Sequence, residues 1–75
     1  MSQNIVFIPA DHEGNKLILK DLRREGDKTF VFYKTTYNDI PFTETEIFPM
    51  GDNYVITGDD GTILYTFVKQ WLYLL

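Results

Sequence analysis

The chain's single histidine, His12, stands between two carboxylates in the polar stretch Ala10-Asp11-His12-Glu13-Gly14-Asn15. A lone imidazole acquires a chemical role only when a nucleophile or second base is held within hydrogen-bond reach. There is no cysteine and no serine set in a glycine-flanked elbow to serve as that partner. A metal ion bound by Asp11, His12 and Glu13 would need ligands spaced to converge, and three consecutive loop residues do not supply that spacing. His12 is expected to be an exposed loop residue.

Two carboxylate pairs come next, Glu44 with Glu46 and Asp59 with Asp60. Alternate residues of a strand share one face at a separation of about 7 Å. A glycosidase uses carboxylates at such separations, but only across a sugar cleft, which a chain this short rarely builds alone. A solvated strand face is the expectation for Glu44 and Glu46, and Asp59-Asp60 fits a turn. Asp52, Asn53, Asp59 and Asp60 lack the loop spacing and terminal glutamate of a calcium site. No phosphate-cradling glycine loop and no dinucleotide turn is present. The sequence therefore predicts no catalytic residue, no metal and no cofactor, and favours binding over catalysis.

The aromatic residues are more informative: six Phe, five Tyr and one Trp, 16% of the chain. The Phe side chains are expected in the core, where a small domain depends on large residues. Tyr33, Tyr37, Tyr54, Tyr65, Trp71 and Tyr73 exceed what so small a core can hide, so some should form an exposed contact patch.

Charge adds a direction. The net charge is −4. Residues 1–37 carry Lys16, Lys20, Arg23, Arg24, Lys28 and Lys34 against Asp11, Glu13, Asp21, Glu25 and Asp27, or +1; residues 38–75 carry Lys69 against Asp39, Glu44, Glu46, Asp52, Asp59 and Asp60, or −5. An acidic, aromatic surface suits a protein partner with a basic face. The candidate binding residues are Tyr37, Asp39, Glu44, Glu46, Asp52, Tyr54, Asp59 and Asp60. An inhibitor or accessory factor of the kind carried by phages and mobile elements fits this description. The alternative is a small barrel that stacks single-stranded nucleic acid or a nucleotide on aromatics, with the six cations of the first half as phosphate contacts. Those cations are interleaved with five acids, so nucleic acid is the less favoured partner. A self-assembling structural protein is a third reading.

These residues must be positioned by strands. Turn formers recur at short intervals, at 10–15, Glu25-Gly26-Asp27, Tyr37-Asn38-Asp39, Pro49-Met50-Gly51-Asp52-Asn53 and Gly58-Asp59-Asp60-Gly61. Between them lie runs rich in Ile, Val, Phe, Tyr and Thr. Thr29 to Lys34 reads as a strand, and Tyr54–Thr57 with Thr62–Val68 as a hairpin. In Thr43 to Phe48, Thr43, Thr45 and Ile47 should point one way and Glu44, Glu46 and Phe48 the other. Lys16 to Glu25 fits a strand better than a helix, although Asn15 and Gly26 would cap a short helix there. The expectation is one all-β domain over 1–75, an antiparallel meander or barrel of five to six strands.

From Ile63 onward both faces are largely apolar, which means burial on both sides if this is one continuous strand to the end. Trp71, Leu72, Tyr73, Leu74 and Leu75 are the expected self-association surface of a two-fold homodimer; the alternative is that they belong to the central strand of a monomeric barrel, covered on both faces. Met1-Ser2-Gln3-Asn4 has no basic character, and the apolar runs are too short for a signal core or a membrane span. Together with the absent cysteine, this predicts a soluble cytoplasmic protein with no membrane partner.

Overall fold

A computed structural model describes residues 5–37 and 39–75. Six strands follow one another: β1 Ile5–Pro9, β2 Lys16–Glu25, β3 Lys28–Thr35, β4 Thr43–Met50, β5 Asn53–Thr57 and β6 Ile63–Val68, with a 3₁₀ helix at Lys69–Leu74. They form one antiparallel sheet in the order β1-β2-β3-β4-β5-β6, a meander curled into a half-barrel. The all-β class and the strand count are as expected. Asn38, at the centre of the turn expected at 37–39, lies outside the described residues, as do residues 1–4.

Tight turns set the registers. Glu25 pairs with Lys28 and Met50 with Asn53, so Gly26-Asp27 and Gly51-Asp52 are two-residue connections. The glycines sit at φ 63° and 61°. Glycine at positive φ in the first central position matches the type II′ turn, whose twist suits a hairpin.

Residues 16–25 are a strand and not a helix. Leu17 and Leu19 point inward opposite Ile8 and Val6, while Ile18 is buried on the other side. A helix would have gathered Ile18, Leu19 and Leu22 on one stripe; here Leu22 is exposed. The strand is bulged. Lys20 pairs with Phe32 and Arg23 with Phe30, leaving Asp21 and Leu22 against Val31 alone, with Asp21 at φ 54°. The extra residue resets the two-residue alternation. Arg23, which unbroken alternation would turn inward, joins Lys20 on the outer face.

The inner face holds the core: Val6, Ile8, Leu17, Leu19, Val31, Ile47, Ile56, Phe67 and Leu72. The expected continuous strand from Ile63 to the end is corrected: β6 stops at Val68 and the chain turns into the 3₁₀ helix. The ladder persists one residue further, Lys69 N donating to the Asp52 carbonyl at 3.1 Å. Beyond it, a strand would have had no sheet to cover its second apolar face. Three residues per turn instead aim Leu72 into the core while Trp71 and Leu75 pack against it. The helix lies against β1, so it covers the inner face between the two sheet edges. No described helix is long and apolar enough to cross a membrane.

Candidate functional site

In an antiparallel meander, alternate connections emerge at the same end of the sheet. The β1–β2, β3–β4 and β5–β6 connections are therefore all at one end of the sheet. They carry Asp11, Glu13, Asp39, Asp59 and Asp60, all exposed, and no Lys or Arg. Lys16 and Lys34, near the ends of the flanking strands, are the nearest cations in the sequence. The opposite end holds the Gly26-Asp27 and Gly51-Asp52 turns, where Arg24, Lys28 and Lys69 offset Glu25, Asp27 and Asp52. The net charge of −4 is thus concentrated at one end.

Two of these acids organise their own loops. Asp11 Oδ1 accepts from the backbone N–H of Glu13 at 2.9 Å and of Asn15 at 3.2 Å, and Oδ2 accepts from Asn15 Nδ2 at 2.7 Å. The Asn15 side chain, then those backbone donors, hold the Asp11 carboxyl below the usual carboxylate range. Asp60 Oδ1 accepts from Thr62 N at 3.0 Å, which lowers its carboxyl likewise. Both remain charged well into acid. Glu13, Asp39 and Asp59 are exposed, and among the described residues none of their carboxylates accepts such a bond.

Beside the carboxylates lie Tyr37 and Ile40, each about half exposed. Tyr37 is fixed by a hydrogen bond between its hydroxyl and that of Tyr65. Tyr33 meets Tyr65 edge-on, with ring centroids 6.2 Å apart. Burial, reinforced by the Tyr37 hydroxyl, pushes the Tyr65 phenol up to about 12. A cavity of about 70 Å³ is lined by Tyr33, Lys34, Thr35, Ile40, Pro41, Thr43 and Tyr65.

The other candidates fall elsewhere. Asp52 is in the turn at the opposite end, and its carbonyl serves the Lys69 ladder bond. Tyr54 is half-buried on the inner face, tilted on Phe67 at 6.1 Å and covered by Lys69 at 5.4 Å. Glu44 and Glu46 share the outer face of β4, where Glu44 accepts from Arg23 Nε at 3.0 Å. His12 is exposed in the acidic end. Of the five C-terminal residues, Leu72 is core, Trp71 and Leu75 are half-buried, and Tyr73 and Leu74 are exposed. The structure therefore places Tyr37, Asp39, Asp59 and Asp60 at one end of the sheet and adds Asp11, Glu13 and Ile40 there. Those three are identified only once the sheet order shows which loops share an end.

The outer face of β2 and β3 holds aromatic rings under cations. Lys20 Nζ sits 4.3 Å and Lys34 Nζ 5.8 Å from the Phe42 ring centroid, and the Arg23 guanidinium lies 4.2 Å over Phe30. Among the described residues no three His, Asp or Glu side chains converge to hold a metal ion. Comparison with protein-family models, curated proteins and solved structures finds no match for this chain.

Proposed function

We propose that the chain is a non-catalytic protein-binding module that docks its acidic loop end onto a basic surface of another protein. One observation carries this: three loops at one end hold five exposed carboxylates and no Lys or Arg, around the exposed Tyr37 and Ile40. An apolar centre beside charge is the anatomy of a protein contact, and a rim on which five carboxylates outnumber the neighbouring Lys16 and Lys34 steers a complementary partner. An inhibitor or accessory factor that works by covering its partner's surface is the corresponding role.

Stacking of single-stranded nucleic acid is the weaker reading. It needs bare rings and available cations. Phe30 and Phe42 lie under Arg23 and Lys20, and Arg23 is committed to Glu25 and Glu44.

The test is capture from an extract of the source organism by the wild type and by a Glu13→Gln, Asp39→Asn, Asp59→Asn variant. These three changes leave the loop-organising Asp11 and Asp60 in place. A basic protein retained by the wild type and lost by the variant supports the proposal. Equal retention, or retention of single-stranded nucleic acid instead, refutes it.

A further inference from the structure

The outer face of the sheet differs between its halves. Over β2 and β3 the rings are covered by Lys20, Lys34 and Arg23. Over β5, β6 and the second half of β4 there is no charged side chain: Phe48, Met50 and Val68 stand exposed around Val55, which is only 3% exposed although it faces outward. This face runs into the C-terminal 3₁₀ helix, where Val68, Gln70, Trp71 and Leu74 line an open, mainly apolar pocket of about 340 Å³. On the flank of the same helix, above Gln70, projects Tyr73, 82% exposed.

We propose that this face is the interface of a two-fold homodimer, in which Tyr73 of each copy fills the pocket of the other. A knob and a hole side by side on one element are complementary to a second copy turned by a two-fold axis, because each chain then gives and receives once. The uncharged face lets two copies of a −4 chain meet without opposing like charges across the contact. Its rim carries Lys69 and Asp52 at the helix end and Glu46 on the β3 side. The area suffices. An aromatic side chain buries about 150–250 Å², so two Tyr73 side chains with Met50, Phe48, Val68 and Leu74 cover on the order of 1,000 Å² in total, where specific interfaces begin. The acidic loop end lies at the far end of β6 from this helix and stays open to a different partner.

The experiment is light scattering behind size exclusion at low and high micromolar concentration. The wild type should reach twice the 8.8 kDa chain mass. Tyr73→Ala and Leu74→Lys should each return the mass to a monomer with an unchanged far-ultraviolet spectrum, since both residues are exposed. Met50→Lys, on the sheet and away from the helix, should weaken the dimer at least tenfold. A wild-type monomer at high micromolar concentration overturns the proposal. So does a dimer indifferent to all three changes, or an open series of larger species. A monomer that sediments with phosphatidylcholine vesicles would assign the face to a lipid surface and overturn it equally.

Discussion

Arg23 on β2 reaches across β3 to Glu44 on β4, with Nε 3.0 Å from Oε2, while its guanidinium lies 4.2 Å over the Phe30 ring. The bulge before Arg23 makes this contact possible by turning the side chain to the outer face. The same guanidinium also bonds Glu25. Its two carboxylate partners favour the charged form and raise its already high pKa. Exposed ion pairs contribute little, more when a planar guanidinium also stacks. Arg23→Ala and Glu44→Ala should therefore each lower the thermal midpoint slightly. The double variant should lose less than the sum, and the coupling should fade as salt rises. Additive losses in a double-mutant cycle would show that the pair contributes nothing.

The bulge gives a second expectation. A side chain in the left-handed region costs about 1–2 kcal/mol, less for Asp than for branched residues. Asp21→Gly should be neutral or stabilising, and Asp21→Val should cost roughly the full 1–2 kcal/mol. Urea unfolding of the two variants separates these outcomes. A destabilising glycine would mean that Asp21 contributes something other than backbone shape.

The C-terminal helix is divided between core and surface, and single substitutions should reveal the division. Leu72 belongs to the core cluster. Leu72→Ala should cost about 2–5 kcal/mol, a large share of what a domain of this size possesses. Deletion of 71–75 should leave an unfolded chain by far-ultraviolet circular dichroism. A folded truncated protein would contradict the placement of Leu72.

Alkaline pH should weaken the fold through Tyr65. Its phenol is raised from 10.0 to about 12, chiefly by burial and then by the Tyr37 hydrogen bond. A raised pKa means that the folded state holds the proton more tightly than the unfolded chain does. The associated stability is complete below pH 10 and is lost as the pH climbs from 10 toward 12. Tyr65→Phe should flatten that loss. A spectrophotometric titration of the native protein should show a late phase near pH 12 that Tyr65→Phe removes; a titration curve unchanged by Tyr65→Phe in that range would contradict this environment.

Much of the fold was legible because its signals are local. Gly26-Asp27, Gly51-Asp52 and the Gly58–Gly61 turn mark hairpins directly, and Leu17, Leu19, Val31 and Ile47 alternate with outward residues. The bulge was not legible, because Asp21 takes a conformation normally signalled by glycine. Nor was the end of β6, since the apolar run continues past Val68 and only the absence of a further sheet face makes the chain turn. Half of the expected binding residues scattered for a related reason. Glu44, Glu46, Asp52 and Tyr54 are close in sequence to Asp39 and Asp59, but strand order sends them to another face or the other end. Asp11 and Glu13, far away in sequence, come to the same end of the sheet as Asp59 because β1–β2 and β5–β6 are both odd-numbered connections.

The proposed role of the acidic end is tested most directly by the association rate of the captured partner, measured by stopped flow across a range of salt concentrations. Electrostatic steering by an acidic rim acts on encounter, so the wild-type rate should fall steeply with salt. The Glu13→Gln, Asp39→Asn, Asp59→Asn variant should associate about ten- to a hundredfold more slowly at low salt, within the range that steering supplies, with a shallower salt dependence. Glu44→Gln with Glu46→Gln, on the outer face of β4, should change the rate little. Equal rates and equal salt slopes for the wild type and the triple variant would contradict the account.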